Sequence, residues 1–189
     1  MNKSISFQSV LQAKRISTDL VKQFWFQHSF LTWQWWFLLG IAFLPWIFWY
    51  LWVADKRRLF ELLTFAAFLD GCSLLFDTIG INEGAWFYPI QLYWSFDPPL
   101  VPVDITAIPV LFVIIYQLCE RWWPFLLTTT LAALVSSFVF EPFFVNIGIY
   151  KLFYWKYIYS FPIYIMMVMT ARAFTLFVKQ KIQTQSRTN

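Results

Sequence analysis

The sequence predicts an all-α integral membrane protein, a helical bundle with five transmembrane helices and a short N-terminal interfacial helix. Three observations predict it. Hydrophobic residues make up 60% of the chain and charged residues only 13%, roughly half the charged share of an average soluble domain, so the surface suits lipid better than water. The apolar residues gather in runs of about 20, the length at which a helix crosses a hydrocarbon core of about 30 Å. Twelve Trp and nine Tyr fall largely near the ends of these runs, where amphipathic rings settle at the headgroup level.

Residues 1–33 form the interfacial segment. Lys3, Lys14, Arg15 and Lys22 are set against Val10, Ile16, Leu20, Val21, Phe24 and Trp25, and the apolar set from Leu20 to Trp25 predicts a short helix lying on the membrane. The segment lacks the short apolar core and small-residue cleavage site of a signal peptide.

The membrane domain covers residues 34–179. Its first span, 35–54, contains Pro45, which predicts a kink, and stops at Asp55-Lys56-Arg57-Arg58. The second, 59–79, carries Asp70 near its middle and Asp77 near its end. Residues 80–99, rich in Gly, Pro and aromatics, predict a loop at the headgroup level. The third span, 100–119, holds Pro102, Asp104 and Pro109 in its first half, which argues against regular helix there. The fourth, 124–140, opens on Pro124, contains Thr128, Thr129, Thr130, Ser136 and Ser137, which suit close helix contact, and is expected to end at Glu141-Pro142. The fifth, 158–178, precedes a basic polar tail at 180–189.

Five spans place Lys56, Arg57, Arg58, Arg121, Lys179, Lys181 and Arg187 on one side. The excess of positive charge then predicts a plasma-membrane protein with a cytoplasmic C-terminus. The scattered basic residues form no stripe or motif for nucleic acid. A parallel duplication is also visible. Thr78-Ile79-Gly80-Ile81 and the aromatics after it run in the same order as Asn146-Ile147-Gly148-Ile149 and its aromatics, each series following an acid, Asp77 or Glu141.

The carboxylates pose the functional question, because a charge near mid-bilayer costs about 2.5–3.5 kcal/mol on insertion scales. Asp70 and Asp77 are two helical turns apart, on one face and about 10 Å from each other along the axis. Alternating spans bring Asp77, Asp104 and Glu141 near one membrane surface, with Glu83 and Asp97 in the loop beside them. Asp70, Asp77, Asp104 and Glu141 therefore outline a candidate polar pocket for a cation or a ligand amine. Structural duties compete with that reading. Asp77 and Glu141 can accept hydrogen bonds from loop amides, lysines or tyrosines, Asp104 can satisfy free N–H groups at a helix start, and Ser73, Thr64 or Arg172 can neutralise Asp70. Arg172 is expected to snorkel toward the basic end. Cys72 and Cys119 lack metal or redox spacing and read as packing residues, and His28 stands alone. No phosphate loop, G-x-S-x-G or H-E-x-x-H is present. No cofactor or metal is expected; the expected partners are the lipid bilayer, another membrane protein, or a small lipophilic or cationic ligand.

The motifs FLTWQWW, LPWIFWYLWVADKRRL, FDTIGINEGAWFYP, PPLVPVD and EPFFVNIGIYKLFYWKYIYSFPIYI resemble those of a family of small multi-pass bacterial membrane proteins without an assigned activity, a resemblance that implies the class and no reaction. A weaker likeness is to the small membrane-embedded carotenoid (lycopene) cyclases, in which an acid, a Gly-x-Trp-aromatic loop and a Pro-x-acid element follow in order. Here these would be Asp77, Gly84-Ala85-Trp86-Phe87 and Pro102-Val103-Asp104, with one acid after Pro-x where the cyclases typically have two. That resemblance implies acid catalysis on an isoprenoid polyene by Asp77, Asp104 or Glu141. A third expectation is a structural or regulatory subunit that packs the small residues of its fourth span against a membrane partner.

Overall fold

Helices dominate the chain, and four of them are long and apolar enough to cross a membrane: Trp33–Val53, Lys56–Asn82, Trp122–Asn146 and Tyr157–Gln185. The computed structural model describes residues 6–96 and 102–188, with the side chains of Asp104 and of residues 186–188 outside the description. Lys3, Asp97 and the start of the predicted third span therefore lie outside the described residues.

The first helix, α1 (Phe7–His28), is far longer than its apolar set at Leu20–Trp25 predicts. Ser6 caps it by accepting from Ser9 N, which fixes a start that hydrophobic patterning upstream does not mark. α1 leaves Phe7, Val10, Ile16 and Leu20 exposed along its length. Its C-terminal end is fastened to the bundle. Trp25 Nε1 donates to Gln91 O at 2.8 Å and Ser29 Oγ to Pro89 O at 2.9 Å.

α2 (Trp33–Phe48) starts at the cap Thr32 and passes through Pro45 into a π-helical turn, Trp49–Val53. Proline has no N–H, so the carbonyl of Ile41, four residues earlier, loses its helical donor. Thr106 replaces it from another segment, its Oγ1 lying 2.7 Å from Ile41 O and also against Pro102 O. Thr106 belongs to a π-helical turn, Val103–Ala107, that feeds α4 (Ile108–Leu118). The prolines thus explain the irregular first half expected of this segment. α4 itself has only 11 residues, roughly 17 Å at 1.5 Å per residue and short of a full hydrocarbon core.

α3 (Leu59–Asn82) packs on α4 and on α7 (Tyr157–Thr188), while α5 (Trp122–Val135) packs on the same two helices from the other side. The fourth span does not end at Glu141-Pro142. A π-helical turn, Ser136–Phe140, carries α5 directly into α6 (Glu141–Asn146), with the Glu141 N–H still bonded to Ser136 O. Pro142 occupies the first turn after this wide turn, where a missing N–H is tolerated. α7 continues well beyond residue 178 into the predicted tail. The outer surfaces are apolar, with Phe43, Leu44, Leu75, Leu127 and Leu131 all exposed. Thr129, Ala133, Ser136 and Ser137 turn inward and are buried within the chain.

One end of the bundle is basic and tightly bonded. Glu61 accepts from Arg58 at 2.9 Å, Lys179 at 2.8 Å and Tyr116 Oη at 2.7 Å, which joins α3, α4 and α7. Arg172 does not snorkel. Its side chain is buried, it donates to the terminal carbonyls Cys119 O (2.8 Å) and Glu120 O, and it lies 4.2 Å from the Phe125 ring centre. A cation at the C-terminus of α4 satisfies carbonyls that have no helical donor. Gln117 completes this end by bonding Val53 O and the Asp55 N–H.

Thr106→Val should lower the stability of the purified protein by about 1–3 kcal/mol, because it leaves the buried Ile41 carbonyl without a donor. Adding Pro45→Ala, which restores a backbone N–H in α2, should recover part of that loss in thermal unfolding followed by circular dichroism.

Candidate functional site

The site forms at the opposite end of the bundle, where two helices finish in the same way. After α3, the Gly84 N–H bonds Ile81 O and the Ala85 N–H bonds Gly80 O. After α6, the Gly148 N–H bonds Val145 O and the Ile149 N–H bonds Phe144 O. Both are Schellman turns, and Gly84 (φ 70°) and Gly148 (φ 77°) supply the left-handed conformation that such a turn needs. Each turn leads into a short strand, β1 (Trp86–Phe87) and β2 (Lys151–Leu152), and the two strands pair antiparallel with Phe87 opposite Lys151.

These features fix the register of the duplication. An offset of 64 residues places Asp77 on Glu141, Asn82 on Asn146, Gly84 on Gly148 and Phe87 on Lys151. The strand pair is therefore centred on equivalent residues, as a local two-fold relation requires. The alignment of Thr78-Ile79-Gly80-Ile81 with Asn146-Ile147-Gly148-Ile149 is corrected. Gly80 lies inside α3, whereas Gly148 lies beyond the end of α6.

The two-fold relation brings the equivalent acids to one cavity of about 90 Å³. Asp77 and Glu141 are both buried and both line it. On one side, Trp86 Nε1 (3.2 Å) and Tyr88 Oη (2.9 Å) donate to the same oxygen, Asp77 Oδ1. On the other, Ser160 Oγ (3.0 Å) and Tyr164 Oη (3.1 Å) donate to the two oxygens of Glu141, while Trp155 Nε1 donates to Ser160 Oγ at 2.9 Å. The Trp86 and Trp155 rings meet edge to face at 4.8 Å, and Tyr88 stacks on Tyr150 at 5.1 Å. Ser136 also lines the cavity, and its buried hydroxyl has no hydrogen-bond partner among the described residues. Among the described residues, no Lys or Arg lines the cavity, and the ion pairs all belong to Glu61.

Gly80 makes this arrangement possible. The six-membered ring of Trp86 lies across α3 against Gly80, and any Cβ there would overlap it. The indole can thus cross the helix and reach Asp77, one turn earlier.

Of the four predicted pocket acids, Asp77 and Glu141 share the cavity. The Asp104 side chain lies outside the described residues, although its neighbour Val103 is a lining residue. Asp70 does not line the cavity. It is half-buried, its Oδ1 is shielded and has no hydrogen-bond partner among the described residues, and Arg172 and Thr64 are bonded elsewhere. Glu83 contributes only its carbonyl, which accepts from Tyr154 Oη at 3.0 Å. His28 stacks on Phe24 at 4.5 Å, and both cysteines are free thiols. Sequence reasoning allowed a tyrosine hydroxyl as partner without choosing Tyr88 and Tyr164, and it missed Trp86 and Ser160. The recurring spacing acid, five residues to Asn, two more to Gly was the signal that could have found the two-fold site.

In comparisons with known proteins, no family model matches the chain, and no curated protein and no solved structure is similar to it.

Gly80→Ala should displace Trp86, alter the near-UV circular dichroism and destabilise the protein by about 1–3 kcal/mol through overpacking. In Trp86→Leu protein the same alanine should cost much less, so the two changes should be non-additive in a double-mutant cycle.

Proposed function

We propose that the chain is a multi-pass plasma-membrane protein that binds a small organic cation in the cavity between Asp77 and Glu141. In this reading α4 completes a fifth, short membrane segment, α1 lies in the interface, and the basic end with the C-terminus faces the cytoplasm. The observation that carries the reading is the pairing of two buried carboxyl groups on one aromatic-walled cavity that, among the described residues, has no basic side chain.

The chemistry favours an ammonium group. A desolvated cation gains from carboxylates and from the faces of Trp and Tyr together, and aromatic walls suit methylated ammonium better than a hard metal ion. Asp77 has both of its donors on Oδ1, so Oδ2 can face a ligand. The unpartnered Ser136 hydroxyl offers a further acceptor beside Glu141. The small cavity volume suits a headgroup-sized cation.

Choline should bind the purified protein in lipid nanodiscs by calorimetry, and its neutral carbon analogue 3,3-dimethylbutanol should bind much more weakly. Asp77→Asn and Glu141→Gln should each weaken choline binding about tenfold or more, the scale of a lost charge-assisted contact. Equal binding of choline and its analogue, or unchanged affinity in both variants, would exclude the reading.

A second reading is a prenyl-lipid enzyme similar to the carotenoid cyclases. The bond from Trp86 to Asp77 favours it, because it joins two of the three motif elements. A cyclised product from a polyene incubated with the purified protein would support it over cation binding.

A further inference from the structure

A second cavity, of about 320 Å³, opens between the first turns of α3 and the C-terminal half of α7, at the end of the bundle away from Asp77 and Glu141. Arg57, Arg58 and Lys179 line it, and Glu61 is the one lining carboxylate. Glu61 already accepts from Arg58, Lys179 and Tyr116, so it is a saturated anchor, and the groove keeps a net positive charge. Arg57 is exposed, and among the described residues its guanidinium makes no hydrogen bond or ion pair. Lys179 has used one of its three donors on Glu61 and remains 42% exposed. The turn Lys56–Arg58 that leads into α3 is capped by Asp55, which accepts from the Arg57 N–H, so the Arg57 backbone is held while its guanidinium points free of the fold's described partners. The rim is apolar, with Phe60 71% and Ile182 49% exposed.

We propose that this groove binds the phosphate of an anionic phospholipid. The phosphodiester sits among Arg57, Arg58 and Lys179, where Arg supplies planar paired donors, and the acyl chains run down the apolar rim at Phe60 and Ile182. The rim selects the lipid over a free anion, which has no use for exposed Phe and Ile beside its charge. The inference rests on α3 and α7 crossing the bilayer and is independent of the ligand at the acidic end.

Native mass spectrometry of the full chain in detergent, with phosphatidylglycerol or phosphatidylcholine added, tests it. Phosphatidylglycerol should be retained at higher collision energy than phosphatidylcholine. Arg57→Gln should weaken its binding about fivefold, the worth of one basic residue near an anionic lipid surface, whereas Arg57→Lys should largely retain it. The Arg57 side chain bonds nothing among the described residues, so circular dichroism of both variants should match the parent. Equal retention of the two lipids, no effect of Arg57→Gln, or displacement of phosphatidylglycerol by millimolar inorganic phosphate would overturn the proposal. Co-flotation with neutral phosphatidylcholine vesicles checks separately that the chain is embedded in the bilayer, so failure of that premise is distinguishable from failure of the site.

Discussion

A polar group surrounded by hydrocarbon has no water to bond and must find its partner inside the chain. That constraint organises this molecule more than hydrophobic packing does, because lipid offers little penalty for the exposed leucines and phenylalanines along the helices. Where Pro45 removes a donor from α2, Thr106 of a neighbouring segment supplies one to Ile41 O. Where α4 ends early, Arg172 reaches across from α7 to its last carbonyls. The π-helical turns at Trp49–Val53, Val103–Ala107 and Ser136–Phe140 each lie within a few residues of a proline, Pro45, Pro109 and Pro142. Such turns let a helix continue past a missing N–H instead of breaking.

The same constraint gives the bundle two chemically opposite ends. At one, the Glu61 carboxylate is paired with two cations and bonded by a phenol, and it locks three helices together. At the other, two carboxylates have only neutral donors, from Trp, Tyr and Ser. Neutral donors hold a carboxyl group without adding a compensating charge, so the two ends differ in how their acids are held.

Two similar helix ends build the second end. Two helices with equal spacing from acid to Asn to Gly finish in equal turns, and the strands that follow meet about a local two-fold. Among the described residues, each half contributes one acid to the cavity, Asp77 from α3 and Glu141 from α6. Together they surround a shared space, and the site comes from the pairing of the halves. The halves differ in detail: Asp77 is bonded directly by an indole, whereas Glu141 receives its indole through Ser160.

By itself the sequence determined the long apolar helices, the irregular start of the segment holding Pro102 and Pro109, the acids at Asp77 and Glu141, and the basic residues at the other end. These follow from local composition, because insertion energy is a near-additive property of a run of residues. The length of α1, the passage of α5 through Pro142 into α6, the register of the repeat, the burial of Arg172 and the role of Glu61 were decided by tertiary structure. A cap, a π-helical turn and a cross-helix hydrogen bond each depend on geometry or on a partner that hydropathy does not encode. The cavity divides between the two: alternation of the spans already brought Asp77 and Glu141 toward one pocket, whereas its donors Trp86, Tyr88, Ser160 and Tyr164 depend on tertiary contacts.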